Sequence, residues 1–267
     1  MLRLNPWTLH NSVVLFIMVL SIPLSAQQSG SLNSSENQQA EVVLNSALSA
    51  MGGQALWAAI SDATVSGTCE SAGVDGTNSG AASPFLWINA QDQFRYENGP
   101  SDNLTIMLSG HGKPLMVFPT QTQSLTYETA EFQKPFHLPG LVLQSTLNDQ
   151  NYQLVLVGNE NTSGTATIHV RILHRLFHIM QPGSRQDWWF DASTFLPLKV
   201  TFKVPGQAVE SYMDVTYTFS GWSADVSGLM VPHQILITNE FGADAQTCTV
   251  LQLKINTQPA ASLFDAR

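Results

Sequence analysis

Hydrophobic and polar residues alternate with a period of two through most of the second half of the chain. Residues 187–202, Asp-Trp-Trp-Phe-Asp-Ala-Ser-Thr-Phe-Leu-Pro-Leu-Lys-Val-Thr-Phe, read as a strand, a tight turn on residues 191–194, and a second strand. That second strand sets Leu198, Val200 and Phe202 against Lys199, Thr201 and Lys203. The pattern returns as Met213, Val215, Tyr217 and Phe219, as Ile235 and Ile237 after a break at 228–232, and as Leu251, Leu253 and Ile255. Alternation with polar punctuation is the signature of antiparallel strands that bury one face. It predicts strands near 62–70, 83–90, 92–98, 102–109, 114–119, 122–128, 151–158, 164–174, 185–191, 197–204, 208–219, 230–239 and 246–256.

Three segments break the alternation. Val43, Leu44, Ala47, Leu48 and Met51 recur at helical spacing and predict a helix over about 37–51, stopped by Gly52-Gly53. A shorter helix over 54–60 turns Leu56, Trp57 and Ile60 inward. Residues 136–147 read as a loop entering a short apolar helix at 139–147, with Pro139 in its first turn. Between these segments no linker and no repeat of fixed period intervenes. The expected layout is a signal peptide at 1–26, a flexible polar leader at 27–36, and one β domain over 37–267.

The signal peptide rests on Arg3 ahead of an apolar stretch from Val13 to Leu24, with small residues ending at Ala26. A stretch of about a dozen apolar residues is short for a membrane span. An uncleaved anchor is the alternative. No cysteine follows the stretch to take a lipid, so the mature chain is expected in the periplasm or outside the cell. Charged residues are only 12% of the chain and the net charge is −9, with no basic run, which excludes the footprint of a nucleic-acid binder. Export permits a disulfide between the two cysteines, Cys69 and Cys248. Strict alternation puts Cys248 opposite in parity to Leu251 and Leu253, so a direct pairing with Cys69 requires a bulge or a corner.

Catalytic motifs are scarce. His174 and His178 stand four apart and His169 is near, but Ile168, Val170 and Ile172 alternate as a strand and no glutamate completes a metal-binding motif. The run Gly110-His-Gly-Lys-Pro114 lacks the glycine spacing of a phosphate loop and reads as a hairpin turn. Glu128 and Glu131 read as a solvated edge, and no nucleophile elbow is present. No cofactor, no metal and no enzymatic activity are expected. An exported hydrolase would need a polar cluster at a cleft. Aromatic and methionine residues are instead spread over many strands: Trp87, Phe94, Tyr96, Met107, Met116, Phe118, Trp188, Trp189 and Met213. Of these, Phe94, Met107, Met116, Phe118, Trp189 and Met213 are the candidate lining of an apolar concave face, with plain core packing as the alternative.

Laid out in this order, the chain resembles the LolA/LppX superfamily of exported lipoprotein and lipid carriers. The resemblance runs from Ala50-Met-Gly-Gly53 with Leu56, Trp57, Ile60 and Gly67, through Trp189-Phe190-Asp191 and Thr194-Phe-Leu-Pro-Leu198, to Gly228-Leu-Met-Val-Pro232, Ile255-Asn256 and Leu263-Phe264. Ala192 and Phe195 replace the Pro and Gly common in the turn of that family. The resemblance implies a mainly β fold: a curved antiparallel sheet, an unclosed half-barrel, with helices covering an apolar hollow. It also implies a lipid, acyl chain or lipidated protein as ligand, with an envelope membrane protein as a further partner. An envelope interaction or sensor module without lipid cargo is the alternative that fold leaves open.

Overall fold

In the computed structural model the chain is described over residues 32–71, 82–90, 93–101, 104–110, 113–124, 136–175, 185–205, 212–225, 227–240 and 246–265. The signal peptide expected at 1–26, His178, Glu128 and Glu131 lie outside the described residues. Thirteen strands form one sheet. They are β1 (Asp62–Ser71), β2 (Ser83–Ala90), β3 (Gln93–Asn98), β4 (Thr105–Gly110), β5 (Lys113–Val117), β6 (Thr122–Ser124), β7 (Tyr152–Thr162), β8 (Thr165–His174), β9 (Arg185–Asp191), β10 (Pro197–Pro205), β11 (Tyr212–Ala224), β12 (Met230–Asn239) and β13 (Gln246–Ile255). The order is β6-β5-β4-β3-β2-β1-β13-β12-β11-β10-β9-β8-β7, so two meanders meet where the first strand pairs with the last. Every described pairing is antiparallel. The edges β6 and β7 stay apart, and the curved sheet is an unclosed half-barrel.

Among the described residues, three α-helices cover the concave face: α1 (Leu32–Ala50), α2 (Gln54–Ala58) and α3 (Pro139–Asn148). Ala40, Val43, Leu44, Ala47 and Leu48 form the buried stripe of α1, at the spacing of one helical face, and Met51 just past its end is buried with them. Gly52 and Gly53 end it at φ +109° and +106°, a region closed to most side chains. Trp57 of α2 is buried and its indole N–H donates to the Met51 carbonyl at 3.0 Å. A Cβ on Gly140 would meet the Trp57 ring at 2.2 Å, so the first turn of α3 lies flat on that indole. Among the described residues, no helix is long and apolar enough to cross a membrane.

Two expectations are corrected. The first concerns α1, which begins at Leu32, inside the leader expected at 27–36. Its polar residues need no buried partner at an exposed helix end, and Asn37 ties the helix to β7 by accepting the Leu154 N–H at 2.8 Å. The second is Leu251, which does not share a face with Leu253 and Ile255. The β1–β13 register slips between Ser66 and Gly67, so Leu251 is left over as a bulge and is 66% exposed. The slip restores parity on its far side. Cys69 therefore sits directly opposite Cys248, and the two are joined as a disulfide across a sequence separation of 179 residues. Gly67 marks the tight spot, because a Cβ there would meet the Thr249 carbonyl oxygen at 2.0 Å.

Candidate functional site

Strand alternation divides the chemistry between two faces. On the concave face, register aligns Trp87, Tyr96, Met107 and Met116 in one row across β2 to β5. Across the hollow, β10 and β11 bring Phe202 beside Val215 and Val200 beside Tyr217. The segment entering α3 dips between them. Phe136 stacks on Phe202 with ring centroids 4.1 Å apart, and His137 lies against Phe85, Tyr96 and Tyr217 at 5.0, 6.3 and 5.9 Å.

These rings fill much of the hollow and leave a cavity of about 210 Å³. Its walls include Trp87, Tyr96, Met107, His137, Tyr217 and Gln246. Burial without a charged neighbour pulls the His137 imidazole down to about 4, so the ring is neutral at pH 7. The same loss of solvation pushes the Tyr96 phenol up to about 12, and that of Tyr217 higher still, with the Tyr96 charge adding to it. Among the described residues, every titratable group on this wall is therefore held uncharged.

Of the residues read from sequence as candidate lining, Met107 borders the cavity and Met116 sits one strand further along the same row. Phe94 is buried two residues from Tyr96 on the same face, and Met213 packs against the core two residues from Val215. Phe118 follows β5 in the turn to β6, where its N–H donates to the Gln121 carbonyl at 2.8 Å. Trp189 is on the other side of the sheet, which corrects its expected place in the hollow. Its neighbour Trp188 is the inward tryptophan, fully buried beside Phe190. The signal is the parity of β9: Trp189 alternates with Arg185 and Asp187, and Trp188 with Gln186 and Phe190. His137, Phe202 and Tyr217 were not among the candidates. Phe202 and Tyr217 follow from alternation, whereas His137 lies in a loop with no periodicity to assign it.

The convex face holds a second cluster. His169 is buried, with Nδ1 2.7 Å from Glu160 Oε1 and Nε2 2.8 Å from Asp187 Oδ1. Trp189 stacks on His169 at 4.3 Å and donates its indole N–H to Glu160 Oε2 at 2.7 Å. Lys199 stands 3.9 Å over the Trp189 ring. Arg171 and Arg185 donate from Nε to the two oxygens of Asp187, each at 2.7 Å. His169, Arg171, Arg185, Asp187 and Trp189 border a cleft of about 300 Å³, which the Lys203–Asp214 pair also lines. Both ring nitrogens of His169 are taken by carboxylates, so neither is left to activate a nucleophile. His174 is apart from this cluster, edge-on to Tyr152. Among the described residues no group of three His, Cys, Asp or Glu side chains is placed to hold a metal.

Comparison with solved structures matches this geometry. A protein described as an outer membrane lipoprotein-sorting protein domain from Vibrio parahaemolyticus superposes with a TM-score of 0.55 at 13% identity, covering 86% of this chain and 97% of the other. The fold is LolA-type. A LolA superfamily protein from Nitrosomonas europaea gives 0.56 at 13% identity, covering 85% of this chain and 97% of its own. A DUF1329 family protein from Desulfovibrio piger gives 0.56 at 12%, covering 86% and 97%. No protein-family model and no curated protein matches the sequence itself. At these identities the likeness concerns the LolA-type fold alone.

Proposed function

We propose that this is an exported, non-catalytic binding protein whose hollow takes one acyl chain of a lipid or a lipidated protein. The observation that carries the reading is the half-open cavity of about 210 Å³ between the two arms of the sheet, walled by Trp87, Met107, Phe136, Phe202 and Ile237. Ligand pockets for drug-sized molecules run from about 300 Å³ upward, so this one suits a slender chain in place of a bulky head group. The lipoprotein-sorting description of a protein with the same fold supports the choice of cargo. The signal-like N-terminal stretch and the cross-sheet disulfide support an oxidising location outside the cytoplasm.

Titration with a fluorescent acyl-chain probe tests this. The wild-type protein is expected to bind the probe saturably. Met107→Glu, which sets a carboxylate in the cavity wall, is expected to weaken binding at least about tenfold. A folded Met107→Glu protein that binds as well as wild type would remove the hollow from the reading. A second reading, an envelope interaction module without lipid cargo, is favoured by the extent to which Trp57, Phe136, Trp188 and Phe190 already fill the hollow. It is the reading that stands if no acyl probe binds.

A further inference from the structure

Of the seven buried side-chain nitrogen and oxygen atoms found without a hydrogen-bond partner among the described residues, two belong to residues that line the cavity: the indole Nε1 of Trp87 on β2 and the imidazole Nε2 of His137 ahead of α3. Both side chains are more than nine-tenths buried, at 2% and 6% exposure, and both line the cavity. An unpaired buried donor costs roughly 1–3 kcal/mol, and native proteins satisfy nearly all such groups. Trp87 Nε1–H is a donor and His137 Nε2 is one in its Nε2–H tautomer, so two such atoms in residues bordering one cavity point to a ligand that brings an acceptor.

The rest of the wall says what kind of acceptor. Among the described residues lining the cavity, none is Asp, Glu, Lys or Arg, and the other polar groups are the phenols of Tyr96 and Tyr217 and the amide of Gln246. A carboxylate or phosphate entering this wall would shed its water without meeting a counter-ion, a penalty of several kcal/mol. A plain hydrocarbon would leave both nitrogens unpaired. A carbonyl oxygen is uncharged and has two lone pairs. Resting on the hollow-binding reading above, we infer that the cavity receives its acyl ligand by an ester or amide carbonyl, which accepts from Trp87 Nε1–H and from the Nε2–H tautomer of His137.

The test is a displacement series with four probes of one chain length: methyl octanoate, N-methyloctanamide, octanoate and octane. The ester and the amide are expected to displace a bound fluorescent acyl probe about tenfold more tightly than octane, the worth of one to two net hydrogen bonds. Octanoate at pH 8 is expected to be weaker than the ester. Trp87→Phe and His137→Phe keep an aromatic ring in place of each donor and are expected to shrink the ratio of ester to octane affinity, whatever each does to octane binding itself.

Equal affinity of wild type for ester and octane would overturn the carbonyl anchor while leaving the hollow as an apolar binding site. Tightest binding by octanoate would overturn the uncharged class. Failure of every probe, octane included, would instead remove the hollow-binding reading on which the inference rests. The wild-type comparison needs no variant to fold, so the inference is decided even if Trp87→Phe does not.

Discussion

Asp187 is a carboxylate taken out of water on the convex face, and burial alone would push its pKa up. Hydrogen bonds from His169, Arg185 and Arg171 outweigh that cost and hold it at about 2. The folded state thus releases this proton more readily than the unfolded chain. The stability it contributes is full above the usual carboxylate range near pH 4 and is lost as the pH falls toward about 2. Asp187→Asn is expected to cost about 2 kcal/mol at pH 7, because two arginines lose their anchor, and to flatten stability between pH 4 and 2. Urea melts at pH 7, 4 and 2.5 read both effects. His137 behaves in another window. Burial among Phe85, Tyr96, Phe136 and Tyr217 lowers it to about 4, so the unfolded chain takes up its proton first as the pH falls below about 6.5. Its stabilising contribution is complete above pH 6.5 and fades between 6.5 and 4, by at most roughly 3 kcal/mol. His137→Phe is expected to remove that slope and leave the one below pH 4.

At the scale of elements, the alternation in the sequence located the strands closely, with β2, β9 and β12 falling on their expected spans of 83–90, 185–191 and 230–239. Period-two patterning succeeds here because nearly every strand has one face on the core and one on solvent. It fails where pairing, and not the strand itself, sets the outcome. The bulge at Leu251 depends on how closely β13 approaches Gly67, and leucine is apolar on either side of it. The turn at 191–194 is legible in Asp191, whose Oδ1 accepts from the N–H groups of Ser193 and Thr194 at 2.8 Å each. The turn then places Phe195 at φ +60°, where the resembling family commonly has glycine. The cavity was not legible, since which rings fill the hollow and which leave space is decided by packing between distant strands. Gly140 is the element-scale test. With Trp57 at 2.2 Å from any added Cβ, Gly140→Ala must lift α3 from α2 or displace the indole. The gain in helix propensity is below about 1 kcal/mol, whereas overpacking costs typically 1–3. A net loss of stability is expected, and thermal melts that rise for Gly140→Ala would contradict the flat packing of α3 on Trp57.

The whole molecule is a sheet whose first and last strands meet near its middle, and the disulfide sits on that seam. On one side β1 to β6 supply Trp87, Tyr96 and Met107 to the cavity. On the other, β7 to β13 supply Phe202, Val215, Tyr217 and Ile237. The two arms form the hollow only while the β1–β13 ladder holds. Loop closure over a separation of 179 residues corresponds to about 5 kcal/mol of lost entropy in the unfolded chain, with measured bridges mostly giving 2–5. Reduction, or Cys69→Ala with Cys248→Ala, is therefore expected to lower unfolding stability by about 2–5 kcal/mol. If the bridge acts only on the unfolded chain, the reduced protein that remains folded should keep its affinity for an acyl probe. If it also holds the arms in register, affinity should fall in step with the opening of the seam, seen as faster amide exchange in β1 and β13 than in β8 and β9. Bulge and bridge are neighbours, with Leu251 three residues from Cys248, and the ladder is irregular where it is stapled. The second outcome is the expected one: the bridge compensates a weakened pairing between the two arms that form the hollow, and its loss should be felt there as well as in the melt.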